Sequence, residues 1–161
     1  MNPAASDLFL KLDGRPHTLR AGQRLGRTRG DTYRDAPSSE VDALIARIRA
    51  GQPWRDVVRD AYAHTRPWLH RIVTDEARSL FFRQHPPPPH ARVLDVGAGW
   101  GQATLPLARH HFVTAVEPTR ERLDFIAAVA AQESLTEKIH FIEADFFALE
   151  FEPVFDYVTC I

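Results

Sequence analysis

The chain has 161 residues, 44% of them hydrophobic and 25% charged, and a formal net charge of −1. These values are typical of a globular protein and argue against a disordered or fibrous chain. No apolar run reaches the roughly 20 residues needed to span a bilayer, and the first residues lack the basic and apolar regions of a secretory signal. The single cysteine, Cys160, excludes an intramolecular disulfide. We therefore expect a soluble protein of the reducing cytoplasm, with no membrane partner.

The charge is unevenly distributed along the chain. Residues 1–92 contain 16 of the 20 Lys and Arg but only 10 of the 21 Asp and Glu, so residues 93–161 are acidic. A basic surface can bind a nucleic acid or an anionic substrate. Alternatively, the two halves pack on each other or the basic residues are simply solvated. Because no RNA-binding motif accompanies the charge, the second interpretation is favoured, and a nucleic-acid partner stays the less favoured alternative.

Residues 1–37 are predicted to form an irregular N-terminal segment. The apolar run at 8–12 is followed by Asp13-Gly14, a pair that accepts the backbone conformation of a tight turn. This pattern is typical of a strand that enters a β-hairpin. Residues 21–35 show no apolar periodicity, which predicts a loop.

Residues 38–85 are predicted to form a helical extension. Ser38 or Ser39 can cap a first helix, whose apolar residues recur at helical spacing up to a stop at Gly51. Pro53 and Pro67 suit the first turns of two further helices. The aromatic residues of this region are expected to pack in the interior.

The four consecutive prolines at 86–89 mark the clearest boundary, because they favour an extended spacer and cannot continue a helix. We therefore treat residues 86–91 as a Pro-rich linker. Short apolar strands then alternate with helices, which predicts an α/β fold with a parallel sheet and right-handed crossovers. The predicted strands are 92–96, 112–116, 138–143 and 154–161, and the predicted helices are 102–110 and 119–133.

A glycine loop follows the first of these strands in the sequence Val93-Leu94-Asp95-Val96-Gly97-Ala98-Gly99-Trp100-Gly101. Glycine lets the backbone approach a ligand closely, because it has no Cβ. Dinucleotides and S-adenosylmethionine are both bound by such loops. The dinucleotide fingerprint requires a small residue where this chain has Gln102. The spacing therefore disfavours a dinucleotide.

An acid ends the second strand of this region. Glu117 lies 20 residues after the first glycine of the loop, where a carboxylate can accept hydrogen bonds from both hydroxyls of a ribose. Both ligand classes place an acid at this position. Glu117 therefore indicates an adenosine ligand without choosing between the classes.

Over residues 92–161 the chain resembles the class I, Rossmann-like S-adenosylmethionine-dependent methyltransferases. The resemblance is carried by the glycine loop, by Glu117, by the acid and aromatic pair Asp145-Phe146 after the third strand, and by the fourth strand with its Phe155-Asp156-Tyr157 start. These pieces occur in the family's order and at its usual separations. The resemblance implies S-adenosylmethionine as the cofactor and a Rossmann-like parallel sheet.

The resemblance also implies a role for each site residue. Gly97, Gly99 and Gly101 would let the backbone approach the cofactor, and Asp95 would fix the loop and the methionine ammonium group. Glu117 would bind the ribose, Asp145 the exocyclic amine of adenine, and Phe146 the face of the ring. Trp100 is expected to cover the first helix, with stacking near the ligand as the less favoured alternative. Gln102 and Thr104 would either reach the ligand or be solvated.

We therefore expect methyl transfer from S-adenosylmethionine to an unidentified acceptor, with a small molecule favoured. The helical extension would close over the ligand pocket, as in many small-molecule methyltransferases. No metal site is predicted, because the eight histidines show no metal-binding pattern. An NAD-dependent oxidoreductase and a non-catalytic cofactor-binding module stay as alternatives.

The family's sheet has seven strands in the order 3-2-1-4-5-7-6, and residues 92–161 account for strands 1 to 4. The residues that position an acceptor in the family lie at and beyond the end of strand 4, so no catalytic residue is assigned. We expect the chain to be a truncated part of a longer enzyme. By itself it would have no turnover and would self-associate through an exposed strand edge.

Overall fold

The computed structural model describes residues 8–12, 15–19, 36–150 and 155–160. The chain divides into two compact units, residues 1–34 and residues 35–161. In the first unit, strands β1 (Leu8–Leu12) and β2 (Arg15–Leu19) pair antiparallel as a hairpin, with Leu8 opposite Leu19. The loop predicted over 21–35 lies outside the described residues.

The second unit begins with helices. They are α1 (Ser38–Arg49), α2 (Trp54–Tyr62), α3 (Pro67–Thr74) and α4 (Leu80–Gln84), with a 3-10 turn at Glu76–Ser79 before α4. The helical N-terminal region is therefore present as expected. None of the helices in the described ranges is long and apolar enough to cross a membrane.

The start of α1 differs from the expected serine cap. Pro37 is the N-cap residue, and neither Ser38 nor Ser39 caps the helix with its side chain. The Pro37 carbonyl accepts the N–H groups of Glu40 and Val41 at 3.0 and 3.2 Å. The ring of Pro37 holds φ at −60°, which fixes the chain direction one residue earlier than the serines would.

A four-stranded parallel sheet follows the helices. Its strands are β3 (Arg92–Val96), β4 (Phe112–Glu117), β5 (Ile139–Glu143) and β6 (Tyr157–Thr159), arranged in the order β5-β4-β3-β6. Helices α5 (Thr104–Ala108) and α6 (Arg120–Gln132) connect the first three strands. The predicted Rossmann-like α/β sheet is confirmed, in the order expected for strands 1 to 4 of the family. Helix α5 is shorter than the predicted 102–110 helix, because the loop turn extends to Ala103.

The helical region and the sheet share one hydrophobic core. Helix α1 packs against α6, and Gln132 of α6 joins the two regions. Its side-chain amide donates to the carbonyls of Ile48 and Gln52 at 2.9 and 2.6 Å and accepts from the Trp54 N–H at 3.0 Å. The position of the helices relative to the sheet is therefore fixed by hydrogen bonds as well as by apolar burial.

The charges of the basic first half are balanced mostly within that half. Arginines of α1, α2 and the residues before α3 pair with acids of the same helical region, as in the bidentate pair of Arg66 with Glu40 at 2.6 and 3.0 Å. Ion pairs between the two halves include Arg92 with Asp156 at 3.2 Å and Arg109 with Glu76 at 3.7 Å. The two halves also share the hydrophobic core and the hydrogen bonds described above.

Candidate functional site

The sequence-predicted site residues meet at the carboxyl edge of the parallel sheet. The glycine loop leaves β3 at this edge, Glu117 is the last residue of β4, and Asp145 lies two residues beyond the end of β5. Strand register places Val96 beside Val116 and Glu117 beside Glu143, so these three strands end at the same level. Open α/β sheets bind their ligands in the crevice at this edge.

The glycine loop has a backbone that few other residues could adopt. Gly97, Gly99 and Gly101 have φ values of +72°, +54° and +84°, which cost a side-chain-bearing residue about 1–2 kcal/mol each. A Cβ at Gly97 would meet no atom within 4 Å, and one at Gly99 would lie 3.5 Å from the Gln102 side chain. Open space therefore adjoins the backbone at Gly97, whereas a Cβ at Gly99 would be in ordinary van der Waals contact.

Hydrogen bonds inside the protein hold the loop in this shape. The N–H groups of Gly97 and Ala98 both donate to the Val116 carbonyl, at 2.9 and 3.1 Å, and the Gly101 N–H donates to the Ala98 carbonyl at 2.8 Å. These donors are used within the fold. A ligand can therefore approach Gly97 closely because this residue has no side chain. Its N–H group is already bonded within the protein.

Gly101 has a different environment from the other two glycines. A Cβ at this position would lie 3.1 Å from both Ile126 Cγ1 and Leu105 Cδ1. These side chains belong to α6 and α5, so Gly101 permits the close packing of the two helices under the loop. The structure thus gives Gly101 a packing role, in addition to the cofactor-binding role that the resemblance implies.

Glu117 is the acid that connects the loop with the sheet. Its side chain is only 8% exposed. One carboxylate oxygen accepts from the Gly99 N–H at 3.0 Å, and the other accepts from the Thr119 N–H at 3.1 Å. Each oxygen retains a further lone pair, so the carboxylate can still accept hydrogen bonds from a diol while it holds the loop.

Asp95 is buried at the base of the loop, with 2% exposure, and its partner Thr104 is fully buried. The Thr104 hydroxyl donates to the Asp95 carboxylate at 2.5 Å. Burial raises the pKa of Asp95 to about 6; the side-chain and backbone hydrogen bonds from Thr104 oppose that rise, and the charge of Glu117 adds to it. The expectation that Thr104 is solvated or touches a ligand is therefore wrong, since its hydroxyl faces Asp95 in the interior.

Asp145 and Phe146 follow β5 in a short turn. The Asp145 carboxylate is exposed and accepts from the Phe147 N–H at 3.0 Å, which caps the 3-10 turn Phe146–Ala148. The Ala144 N–H donates to the Glu117 carbonyl at 3.3 Å. This bond links the ends of β4 and β5. The exposed Asp145 carboxylate therefore lies at the same edge of the sheet as Glu117.

Trp100 anchors the loop to the helices, in agreement with its expected packing role. It is 3% exposed, and its ring lies edge-on to Phe125 at 4.9 Å and to Tyr62 at 6.4 Å. The Arg122 guanidinium lies over the same ring at 3.7 Å. The sequence predicted a packing role for Tyr62 but not its contact with Trp100, and it predicted no role for Arg122, because only the fold brings these distant residues to the loop.

The comparison with protein families agrees with this geometry. Residues 93–161 match the family described as "Methyltransferase domain". The resemblance to the class I S-adenosylmethionine-dependent methyltransferases is therefore confirmed for this part of the chain, and its cofactor prediction agrees with the match. No curated protein matches the chain.

Solved methyltransferases are among the structures similar to this chain. YcgJ from Bacillus subtilis is 26% identical over 51% of this chain and 36% of that protein, with a TM-score of 0.46. A Geobacter sulfurreducens S-adenosylmethionine-dependent methyltransferase, solved with S-adenosylhomocysteine, is 18% identical over 65% and 41%, with a TM-score of 0.49. Haemonchus contortus phosphoethanolamine N-methyltransferase 1 is 16% identical over 84% and 27%, with a TM-score of 0.46. The chain thus spans between 27% and 41% of the length of these proteins.

The packing role of Gly101 can be tested with a matched glycine. Gly51→Ala introduces a side chain at a φ of +92° with no atom within 4 Å, so it should cost only the backbone strain of about 1–2 kcal/mol. Gly101→Ala adds overpacking against Ile126 and Leu105, which should bring the loss to about 2–4 kcal/mol. Urea unfolding of both variants measures the difference. Equal losses would contradict the packing role.

Proposed function

We propose that the protein binds S-adenosylmethionine at the carboxyl edge of β3, β4 and β5 and takes part in transferring its methyl group to an acceptor, with a small molecule favoured. One observation carries this proposal. The buried Glu117 carboxylate is bonded to the N–H of Gly99 in the open glycine loop. The carboxylate that would accept hydrogen bonds from the ribose diol is therefore fixed beside the glycine loop before any ligand binds.

The proposed contacts follow the order of the strands. The methionine part of the cofactor lies along Gly97 and Gly99, and the space beside Gly97 is open. Glu117 accepts hydrogen bonds from the two ribose hydroxyls through the lone pairs that Gly99 and Thr119 leave available. Asp145 accepts a hydrogen bond from the exocyclic amine of adenine, and Phe146 lies against the ring.

Methyl transfer requires the protein mainly to position the reacting groups. The sulfonium of the cofactor supplies an electrophilic methyl group when it is bound. The residues of the chain have to orient that group for in-line attack and to exclude water. The contact between Tyr62 of α2 and Trp100 of the loop supports a covering role for the helical region 38–85 on the acceptor side. No side chain of the described residues is assigned as a base.

Ligand identity is tested by calorimetric titration of the protein with S-adenosylhomocysteine and with NAD. We expect binding of S-adenosylhomocysteine and none of NAD, because the loop lacks the third small residue of the dinucleotide fingerprint. Binding of NAD without a response to S-adenosylhomocysteine would overturn the proposal.

The role of Glu117 is tested with Glu143 as its matched control, since the two residues are neighbours in the sheet register. Removal of a charged hydrogen-bond acceptor costs about 1.5–3 kcal/mol, so Glu117→Ala should weaken S-adenosylhomocysteine binding about tenfold or more. Glu143→Ala removes an exposed acid bonded to Arg120 and should leave the affinity within about twofold. A folded Glu117→Ala variant with wild-type affinity would refute the ribose contact.

The adenine contact of Asp145 is tested with a ligand analogue. S-inosylhomocysteine carries a carbonyl oxygen where the adenine has its amine, so this exocyclic position cannot donate to a carboxylate. The wild-type protein should bind it about tenfold or more weakly than S-adenosylhomocysteine. Asp145→Ala should remove most of this preference, and an unchanged preference in that variant would argue against the contact.

A further inference from the structure

The hydrogen bond between Thr104 and Asp95 closes the base of the glycine loop. Asp95 lies in β3 just before the loop, and Thr104 is the first residue of α5 just after it. The hydroxyl of Thr104 and its backbone N–H both donate to the Asp95 carboxylate, the hydroxyl at 2.5 Å. The loop residues 97–103 therefore lie between two bonded side chains that are both buried.

The surroundings of Asp95 make this contact important. Its register neighbours are Ala115 on β4 and Thr159 on β6, which carry no charge. Glu117 of β4 is the titratable group whose charge acts on it, and that charge is of the same sign. Within the described ranges, no arginine, lysine or histidine forms a salt bridge with Asp95. The donors of Thr104 are thus the contacts that favour the ionised form of a buried carboxylate.

We propose that Thr104 is a positioning residue for the cofactor: its hydroxyl fixes the orientation and charge of the Asp95 carboxylate, and through it the base of the loop that receives the methionine end. This inference rests on the proposed function, since a cationic ammonium group is the ligand group that an ionised Asp95 would favour. Thr104 itself touches no ligand. It acts through Asp95 and through the start of α5.

The sign of the expected pH dependence follows from the burial of Asp95. Its pKa is raised to about 6, so the carboxylate loses its charge as the pH falls through that value. Affinity for a cationic ammonium group should therefore decrease below about pH 6. Loss of the Thr104 hydroxyl removes a contact that lowers the pKa, and the decrease should then begin at a higher pH.

The test compares Thr104→Val, which replaces the hydroxyl with a methyl group of similar size, with Thr104→Ser, which keeps it. S-adenosylhomocysteine affinity is measured by calorimetry from about pH 5 to pH 8. The pH midpoint of the valine variant should move upward, and a shift of about one pKa unit should weaken binding about tenfold at pH 5 but only about twofold at pH 7. The serine variant should stay close to the wild type. Weaker binding in both variants with an unchanged midpoint would show a merely structural role and overturn the inference.

A second measurement needs no ligand. Carbon-13 NMR of the side-chain carboxyl groups follows the ionisation of Asp95 directly, with its signal assigned by Asp95→Asn. The midpoint should be higher in Thr104→Val than in the wild type, and an unchanged midpoint would overturn the inference even if S-adenosylhomocysteine binds. If the midpoint moves but the wild type binds no S-adenosylhomocysteine at any pH, the proposed function fails, and the cofactor role of Thr104 fails with it.

Asp95→Asn keeps the experiment decisive if the valine variant does not fold. An amide cannot ionise near pH 6, so this variant should lose the pH dependence of S-adenosylhomocysteine binding in that range. A dependence that persists unchanged would overturn the inference, because another group would then be responsible for it.

Discussion

The hydrogen bond from the Gly99 N–H to Glu117 is the constraint on which the site depends. It joins the middle of the loop after β3 to the end of β4, over a separation of 18 residues in the sequence. The carboxylate is nearly buried, so its charge must be satisfied locally, and the Thr119 N–H supplies the second donor. A buried acid with two backbone partners has little freedom to move. The conformation of the loop and the position of the carboxylate proposed to bind the ribose diol are therefore set by the same interaction.

The loop is held from the helical side as well. Trp100 follows Gly99 directly, and its ring is enclosed by Phe125 and Arg122 of α6 and by Tyr62 of α2. The Gly99 N–H is thus bonded to the end of a strand, and the side chain of the next residue, Trp100, packs among the helices. Because the helical region also bonds to the end of α6 through Gln132, a displacement of α1 and α2 would be transmitted to the loop. The helices and the candidate cofactor site behave as parts of one packed body, which is what a covering role requires.

The sheet could be predicted from the sequence because its signals are local. Apolar runs, turn residues and the glycine spacing lie within windows of ten residues or so, and they predict the parallel α/β fold. The strand order was implied by the resemblance to the methyltransferase family. The candidate site residues could be predicted for the same reason, since most of them end a strand or follow one. The packing role of Gly101 could not be predicted, because its contact with Ile126 spans 25 residues and depends on how α6 crosses α5. Thr104 was misjudged because the helix it begins is shorter than the pattern indicates, and its true environment is the interior beside Asp95.

With the proposed role of Asp95, stability and binding oppose each other in this site. A carboxylate whose pKa is higher in the folded protein than in the unfolded chain binds its proton more tightly when folded, so its ionisation above about pH 6 destabilises the fold. Between the unfolded and the folded pKa, the free energy of unfolding from this group alone increases as the pH falls. Affinity for a cationic ligand group changes in the opposite direction, because it requires the charged carboxylate. Burial at the base of the loop therefore has a cost at neutral pH that the Thr104 hydrogen bonds reduce without removing. A charged group kept in such a place is typical of a residue retained for ligand binding and not for the stability of the fold.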